Sequence, residues 1–140
     1  MFLMNNLMSK FSSIILIFCL IFYLGCAGNS DNSQVTLVNL KLKSCFDKLE
    51  SKKAICLDSV YQDSRCAEDV VCVWEGDVLA AFTLKESDKH IKFVLHVNEK
   101  FRTDTIINGL SIKLINILPR PIANQAIDLK SYSAEIKVNE

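Results

Sequence analysis

The chain has 140 residues, half of them hydrophobic, with 16 basic and 16 acidic side chains, which limits it to one modest domain with a proper core. The apolar content is uneven: residues 1–25 hold 18 of the 70 hydrophobic side chains and a single charge, Lys10, whereas 52 of the other 115 residues are apolar. Those 115 carry 15 basic and 16 acidic groups, a balance that points to no nucleic acid partner and no disordered acidic tail.

Phe11-Ser12-Ser13 leads into an unbroken apolar run from Ile14 to Leu24, closed by Gly25 and Cys26. This is the layout of an export signal. Counted from Phe11, the 14-residue stretch spans about 21 Å as a helix, short of a bilayer core of about 30 Å, so a spanning anchor is disfavoured. Leu24-Gly25-Cys26 resembles the lipobox of bacterial lipoproteins, with Tyr23 where an aliphatic residue usually begins the box. The resemblance implies that residues 1–25 are a lipoprotein signal peptide and that Cys26 is lipidated. The membrane then becomes a partner through the acyl chains on Cys26. Each buried methylene contributes about 0.8 kcal/mol, so several chains hold a protein that one would release. The alternative is an ordinary signal peptide cut near Ala27 or Gly28, which would leave a secreted protein. Residues 27–34 contain no large apolar side chain, so 26–34 reads as a lipidated cysteine and flexible tether. Ala27 is not the aspartate associated with inner-membrane retention, which favours the outer membrane in a two-membrane cell.

A domain over residues 35–140 follows. In 35–43 the apolar set moves from Val35 and Leu37 to Val38, Leu40 and Leu42, predicting a strand with a bulge or with both faces covered. Cys19 falls inside the signal and Cys26 is assigned to lipid, leaving Cys45, Cys56, Cys66 and Cys72. An even remainder in an exported domain reads as two disulfides. Of three connectivities, Cys45–Cys56 with Cys66–Cys72 is favoured, because the first pair flanks a polar, hairpin-like stretch and the second closes a short loop. Closing such loops contributes roughly 2.8 and 2.3 kcal/mol on the chain-entropy account. No gap matches paired zinc ligands and no Cys-x-x-Cys occurs, so neither a metal nor a redox role is indicated.

The densest stretch is Asp63-Ser64-Arg65-Cys66-Ala67-Glu68-Asp69-Val70-Val71-Cys72-Val73-Trp74-Glu75-Gly76-Asp77. It resembles a motif of small exported bacterial proteins, many of them lipoproteins of unknown function, that runs Asp-Ser-Arg-Cys-Pro, four residues, Cys-Val-Trp-Ala-Gly. Ala67 and Glu75 replace the usual proline and alanine; weaker likeness continues through Leu118-Pro119-Arg120-Pro121 and Tyr132-Ser133-Ala134. The residues themselves support two readings. In the structural one, a Cys66–Cys72 bridge closes the loop and Trp74 covers the sulfurs. Gly76 then permits the turn into the next strand, and Arg65 is fixed by an ion pair or carbonyl contacts among Asp63, Glu68, Asp69, Glu75 and Asp77. In the functional one, Asp63, Arg65, Trp74, Glu75 and Asp77 line a recognition surface for a polar ligand, cation or partner protein. The carboxylate spacing is not that of a calcium loop.

Residues 77–85 alternate, with Val78, Ala80, Phe82 and Leu84 inward. Glu86-Ser87-Asp88-Lys89 forms a polar turn, and Ile91, Phe93, Leu95 and Val97 make the next inward row, so the two segments predict a hairpin. His90 and His96 fall with Lys92 on the opposite face and read as solvated. Asn108-Gly109, between Thr105-Ile106-Ile107 and Leu110-Ser111-Ile112, predicts a type I′ hairpin. In 110–118 the apolar phase moves from Leu110, Ile112 and Leu114 to Ile115 and Ile117, predicting another bulge or doubly covered strand. Pro119 and Pro121 end the pairing, and 120–130 connects onward, with a short helix over 122–129 as an option. Residues 131–138 alternate again, with Tyr132, Ala134, Ile136 and Val138 on one side.

About seven short strands and no helical period outside the signal predict an all-β fold, an antiparallel β-sandwich or small barrel. No Gly-x-Ser-x-Gly, phosphate-binding glycine loop or His-Glu-x-x-His occurs, so no catalytic residue, cofactor or metal is assigned. The expected function is that of a membrane-anchored envelope lipoprotein whose β-domain is a binding or structural accessory module. The alternative is an inhibitor or chaperone-like binder that presents the Cys66–Cys72 loop to another envelope protein. A metal-dependent hydrolase around His90 and His96 is the least favoured reading, since it needs a third group such as Asp88.

Overall fold

The computed structural model describes residues 35–49 and 52–140. The segments read from sequence as a signal peptide, 1–25, and as a lipidated cysteine with its tether, 26–34, lie outside the described residues. Strands β1 (Val35–Lys41), β2 (Cys45–Phe46), β3 (Lys53–Tyr61), β4 (Leu79–Glu86), β5 (Lys89–His96), β6 (Asp104–Ile107), β7 (Leu110–Leu118) and β8 (Ser133–Asn139) form two antiparallel sheets. Their orders are β1-β8-β7-β6 and β2-β3-β4-β5. The sheets do not close into a barrel. They bury one shared core, to which both contribute alternate residues, and the fold is therefore a sandwich.

The inward rows follow the alternation. Val78, Ala80, Phe82 and Leu84 are fully buried, as are Ala134, Ile136 and Val138 of β8. Phe82 stacks on its cross-strand neighbour Phe93 with ring centroids 5.4 Å apart. Each such large side chain contributes on the order of 1.5–3 kcal/mol through burial. Asn108 (φ 50°) and Gly109 (φ 81°) both take the left-handed region that a type I′ turn needs. Asn108 also ties the sheets together: its carbonyl accepts from Lys53 Nζ at 3.0 Å and its Nδ2 donates to Glu86 at 2.6 Å.

The phase shift in β7 is a bulge. Register slips between Leu114 and Asn116, Ile115 turns outward, and Ile117 returns to the core. In β1 no such slip exists: pairing with β8 runs unbroken from Val35↔Asn139 to Lys41↔Ser133. Val38 and Leu40 face the core, while Val35 and Leu37 are exposed on the outer face. The apolar residues of this edge strand therefore lie on two faces, of which only one is covered. A helix over 122–129 does not form either. Asn124 has a positive φ of 58°, and the segment instead bonds to the motif loop, with a 3-10 turn only at Leu129–Ser131.

Register also fixes the two ends of the sandwich. Val35 pairs with Asn139, which pairs with Ser111 beside the Asn108-Gly109 turn; Lys41 pairs with Ser133, which pairs with Leu118. Six residue steps at about 3.4 Å separate these ends by about 20 Å. The long connections 62–78 and 119–132 lie at the Leu118 end, and the chain enters at the Val35 end.

Candidate functional site

The 62–78 connection between β3 and β4 is closed at its base by a short ladder. Ser64 N donates to Asp77 O at 2.8 Å and Cys66 N to Glu75 O at 3.0 Å, while the Ser64 hydroxyl bonds the Asp77 backbone. Gly76 makes this pairing feasible. Its φ is 68°, and a Cβ at that position would lie 1.8 Å from the Ser64 carbonyl oxygen.

Arg65 turns inward from the ladder. Its guanidinium forms a fork with Asp63, through Nε at 2.8 Å and Nη2 at 2.7 Å, and also donates to the carbonyls of Ile117 and Pro119 at the end of β7. Only 5% of the Arg65 side chain is exposed. Asp63 accepts further from the Tyr132 hydroxyl at 2.8 Å. Desolvation acts to raise the Asp63 pKa, but the Arg65 and Tyr132 hydrogen bonds and the guanidinium charge outweigh it and hold the carboxyl below its ordinary range. The same burial, together with the bond to the Asp63 carboxylate, pushes the Tyr132 phenol up to about 12.

Asp77 joins the base to the 97–103 loop. Its carboxylate meets His96 Nδ1 at 2.6 Å and accepts from Asn98 N at 3.0 Å; Asn98 Nδ2 in turn donates to Gly76 O at 2.7 Å. The His96 ring stacks on Phe101 at 5.0 Å. His96 is thus a partner of the motif, whereas His90 stays exposed near the other end of β5. Glu68 N donates to Pro121 O and Asp69 accepts from Ala123 N, so the 119–131 segment braces the same loop.

Beyond this base the chain changes character. Cys66 and Cys72 are bridged, as are the directly paired Cys45 and Cys56 of β2 and β3. The tip, made of the loop that the Cys66–Cys72 bridge closes and the two residues after it, exposes Val71 (103%), Val73 (94%) and Trp74 (74%). Trp74 does not cover the sulfurs: the loop turns its ring outward, and the bridge is left at the surface with Cys72 exposed. A cleft of about 340 Å³ lies beside the tip, lined by Arg65, Glu75, Asp77, Asn98, Glu99 and Arg120. A more open concavity of about 490 Å³ is bounded by the bridge, Val73, Trp74, Glu75 and Lys100.

Of the five residues read from sequence as a recognition surface, Arg65, Glu75 and Asp77 line the one cleft, and Trp74 joins Glu75 on the neighbouring concavity. Asp63, Arg65 and Asp77 spend their polar atoms on the base, and Trp74 and Glu75 face solvent. His96, Asn98 and Tyr132 are the partners that sequence reasoning missed. For Tyr132 a signal existed, since a buried phenol usually requires a hydrogen-bond partner. Among the described residues, no group of three or more His, Cys, Asp or Glu is placed to hold a metal ion. No family model, curated protein or solved structure matches this chain.

Proposed function

We propose that the chain is a lipid-anchored envelope lipoprotein, of the small exported group that its Asp63–Asp77 motif resembles, and that its β-domain is a non-enzymatic binding module. The observation that carries this reading is the pairing of a rigid base with an apolar tip. A loop with only a structural task would turn Val71, Val73 and Trp74 inward; this one is braced by a disulfide, a buried ion pair and two neighbouring segments, yet leaves them in water. The inhibitor-like reading is the form of binding that this geometry favours, because a preorganised loop loses little conformational entropy on docking. The Leu24-Gly25-Cys26 box and the polar tether support the anchor and its envelope location, with the outer membrane favoured in a two-membrane cell.

Two measurements test this. Radioactive palmitate should label the native chain and fail to label Cys26→Ser; equal labelling would contradict the anchor. After mild detergent extraction, the native chain should migrate in size-exclusion chromatography as part of a larger assembly from which Val73→Ala/Trp74→Ala is lost. Identical migration of both would contradict the binding module.

A further inference from the structure

We infer that the tip formed by Val71, Val73 and Trp74 docks into an apolar pocket with a basic rim on a different protein, on the side of the domain that faces away from the anchoring membrane. The inference deepens the function proposed above and rests on its lipid anchor at Cys26. Three observations identify the occupant.

The first is where the chain enters. Val35 begins β1 at the end of the sandwich marked by Asn139 and the Asn108-Gly109 turn, and the tip stands on the opposite end, about 20 Å of sheet away. Nine residues, 26–34, precede Val35, and a stretch of that length can span at most about 32 Å. With Cys26 in the bilayer, the Val35 end stays within that reach, and the tip at the opposite end of the sheet meets the bilayer only if the whole domain inverts.

The second is charge. Asp69, Glu75 and Glu99 are exposed around the tip against Lys100, while Glu68 and Arg120, also exposed, pair with each other at 3.5 Å. Loops and helices that settle on lipid pair their apolar side chains with Lys and Arg, because cell membranes carry anionic lipids. A net acidic rim is repelled there, and is repelled equally by the same rim on a second copy. It matches a basic one.

The third is residue type. One tryptophan flanked by small aliphatic side chains on a fixed backbone is the composition of a protein-binding anchor, in which a central aromatic fills a desolvated pocket. Val71, wholly exposed beside the bridge, offers nothing that a sugar or other polar ligand would use.

Trp74 is the only tryptophan in the chain, which makes the membrane side directly readable. The full acylated chain would be reconstituted into phosphatidylethanolamine and phosphatidylglycerol vesicles with brominated acyl chains. Trp74 emission should be quenched by aqueous acrylamide and unaffected by the brominated lipid; quenching by the lipid would overturn the inference. In the cells' own membranes, a photo-crosslinking residue at Val73 should give one discrete adduct with a different protein, and the same probe at Ile106 should not. The adduct should vanish with Trp74→Ala and fall at least several-fold with Glu68→Lys/Glu75→Lys, and its attachment site should lie in an apolar pocket bordered by Lys or Arg. An adduct with the mass of two copies, an adduct indifferent to these substitutions, or no adduct from Val73 would each overturn it. Palmitate labelling separates the two levels: an unlabelled chain defeats the anchor, whereas a labelled chain quenched by lipid defeats the docking inference alone.

Discussion

The fifteen residues from Asp63 to Asp77 contain two regions that the sequence writes in one style and the structure uses in opposite ways. At the base, charged groups are drawn inward: Arg65 and Asp63 satisfy each other, Tyr132 and the end of β7, and Asp77 satisfies His96 and Asn98. At the tip, apolar groups are turned outward, with Val71, Val73 and Trp74 in water. This inverts the usual partition of polar and apolar surface within one loop. Polar satisfaction supplies the rigidity, which leaves the hydrophobic side chains available for contact.

The comparison predicts large effects at the base and small ones at the tip. Arg65→Ala should be the most damaging, because it strands the partly buried Asp63 carboxylate and two carbonyls; about 3–5 kcal/mol should be lost in urea unfolding. Arg65→Lys should recover only part of that, since an ammonium cannot make the fork. Gly76→Ala comes next. The left-handed backbone alone costs about 1–3 kcal/mol for a residue with a side chain, and the clash with Ser64 must also open the ladder. A wild-type unfolding curve for Gly76→Ala would break the account of the base.

The pH dependence follows from the same cluster. An unfolded tyrosine loses its proton near pH 10, whereas Tyr132 in the folded chain holds its own to about 12. Between those values the unfolded chain binds fewer protons, so the contribution of Tyr132 is fully present below about pH 10 and is lost as pH rises through about 12. Asp63 acts at the acid limb. Its folded pKa is depressed, so its contribution is present above its unfolded value of about 3.9 and is lost as pH falls through the folded one. Unfolding midpoints across pH should show a shallower alkaline decline in Tyr132→Phe than in the native chain; parallel curves would contradict the Asp63–Tyr132 bond.

Much of the fold was legible because local pattern and tertiary demand agree. The single-phase alternation of β8 and the Asn108-Gly109 turn have one physical solution each. The β7 bulge was legible as a slipped phase. β1 misled because Val35 and Leu37 lie on the outer face of an edge strand, where apolar residues mimic a second covered face. β3 gave no alternating signal: Ile55, Cys56 and Leu57 are consecutive buried residues, and a second register slip follows at Asp58. In the motif, the need to fix Arg65 was readable from the five carboxylates around it in sequence. Which carboxylate does so was not, since the choice depends on Ile117, Pro119 and Tyr132, all more than 50 residues away. The outward turn of Trp74 was hidden for a related reason. Size and proximity to a cysteine suggest cover, but the direction of the ring is set by how the base is braced.

The smallest effect belongs to Trp74, and it bears on the central claim that the tip is offered for contact and not spent on the fold. Removing an exposed side chain should change stability by no more than about 0.5 kcal/mol. Because Trp74 is the sole indole, its fluorescence in the native chain reports its surroundings without interference. The emission maximum should already match that of a solvated indole and move little on full denaturation in urea. A blue-shifted native maximum that moves strongly to the red on unfolding would mean that Trp74 packs over the Cys66–Cys72 bridge, and would contradict the division between base and tip.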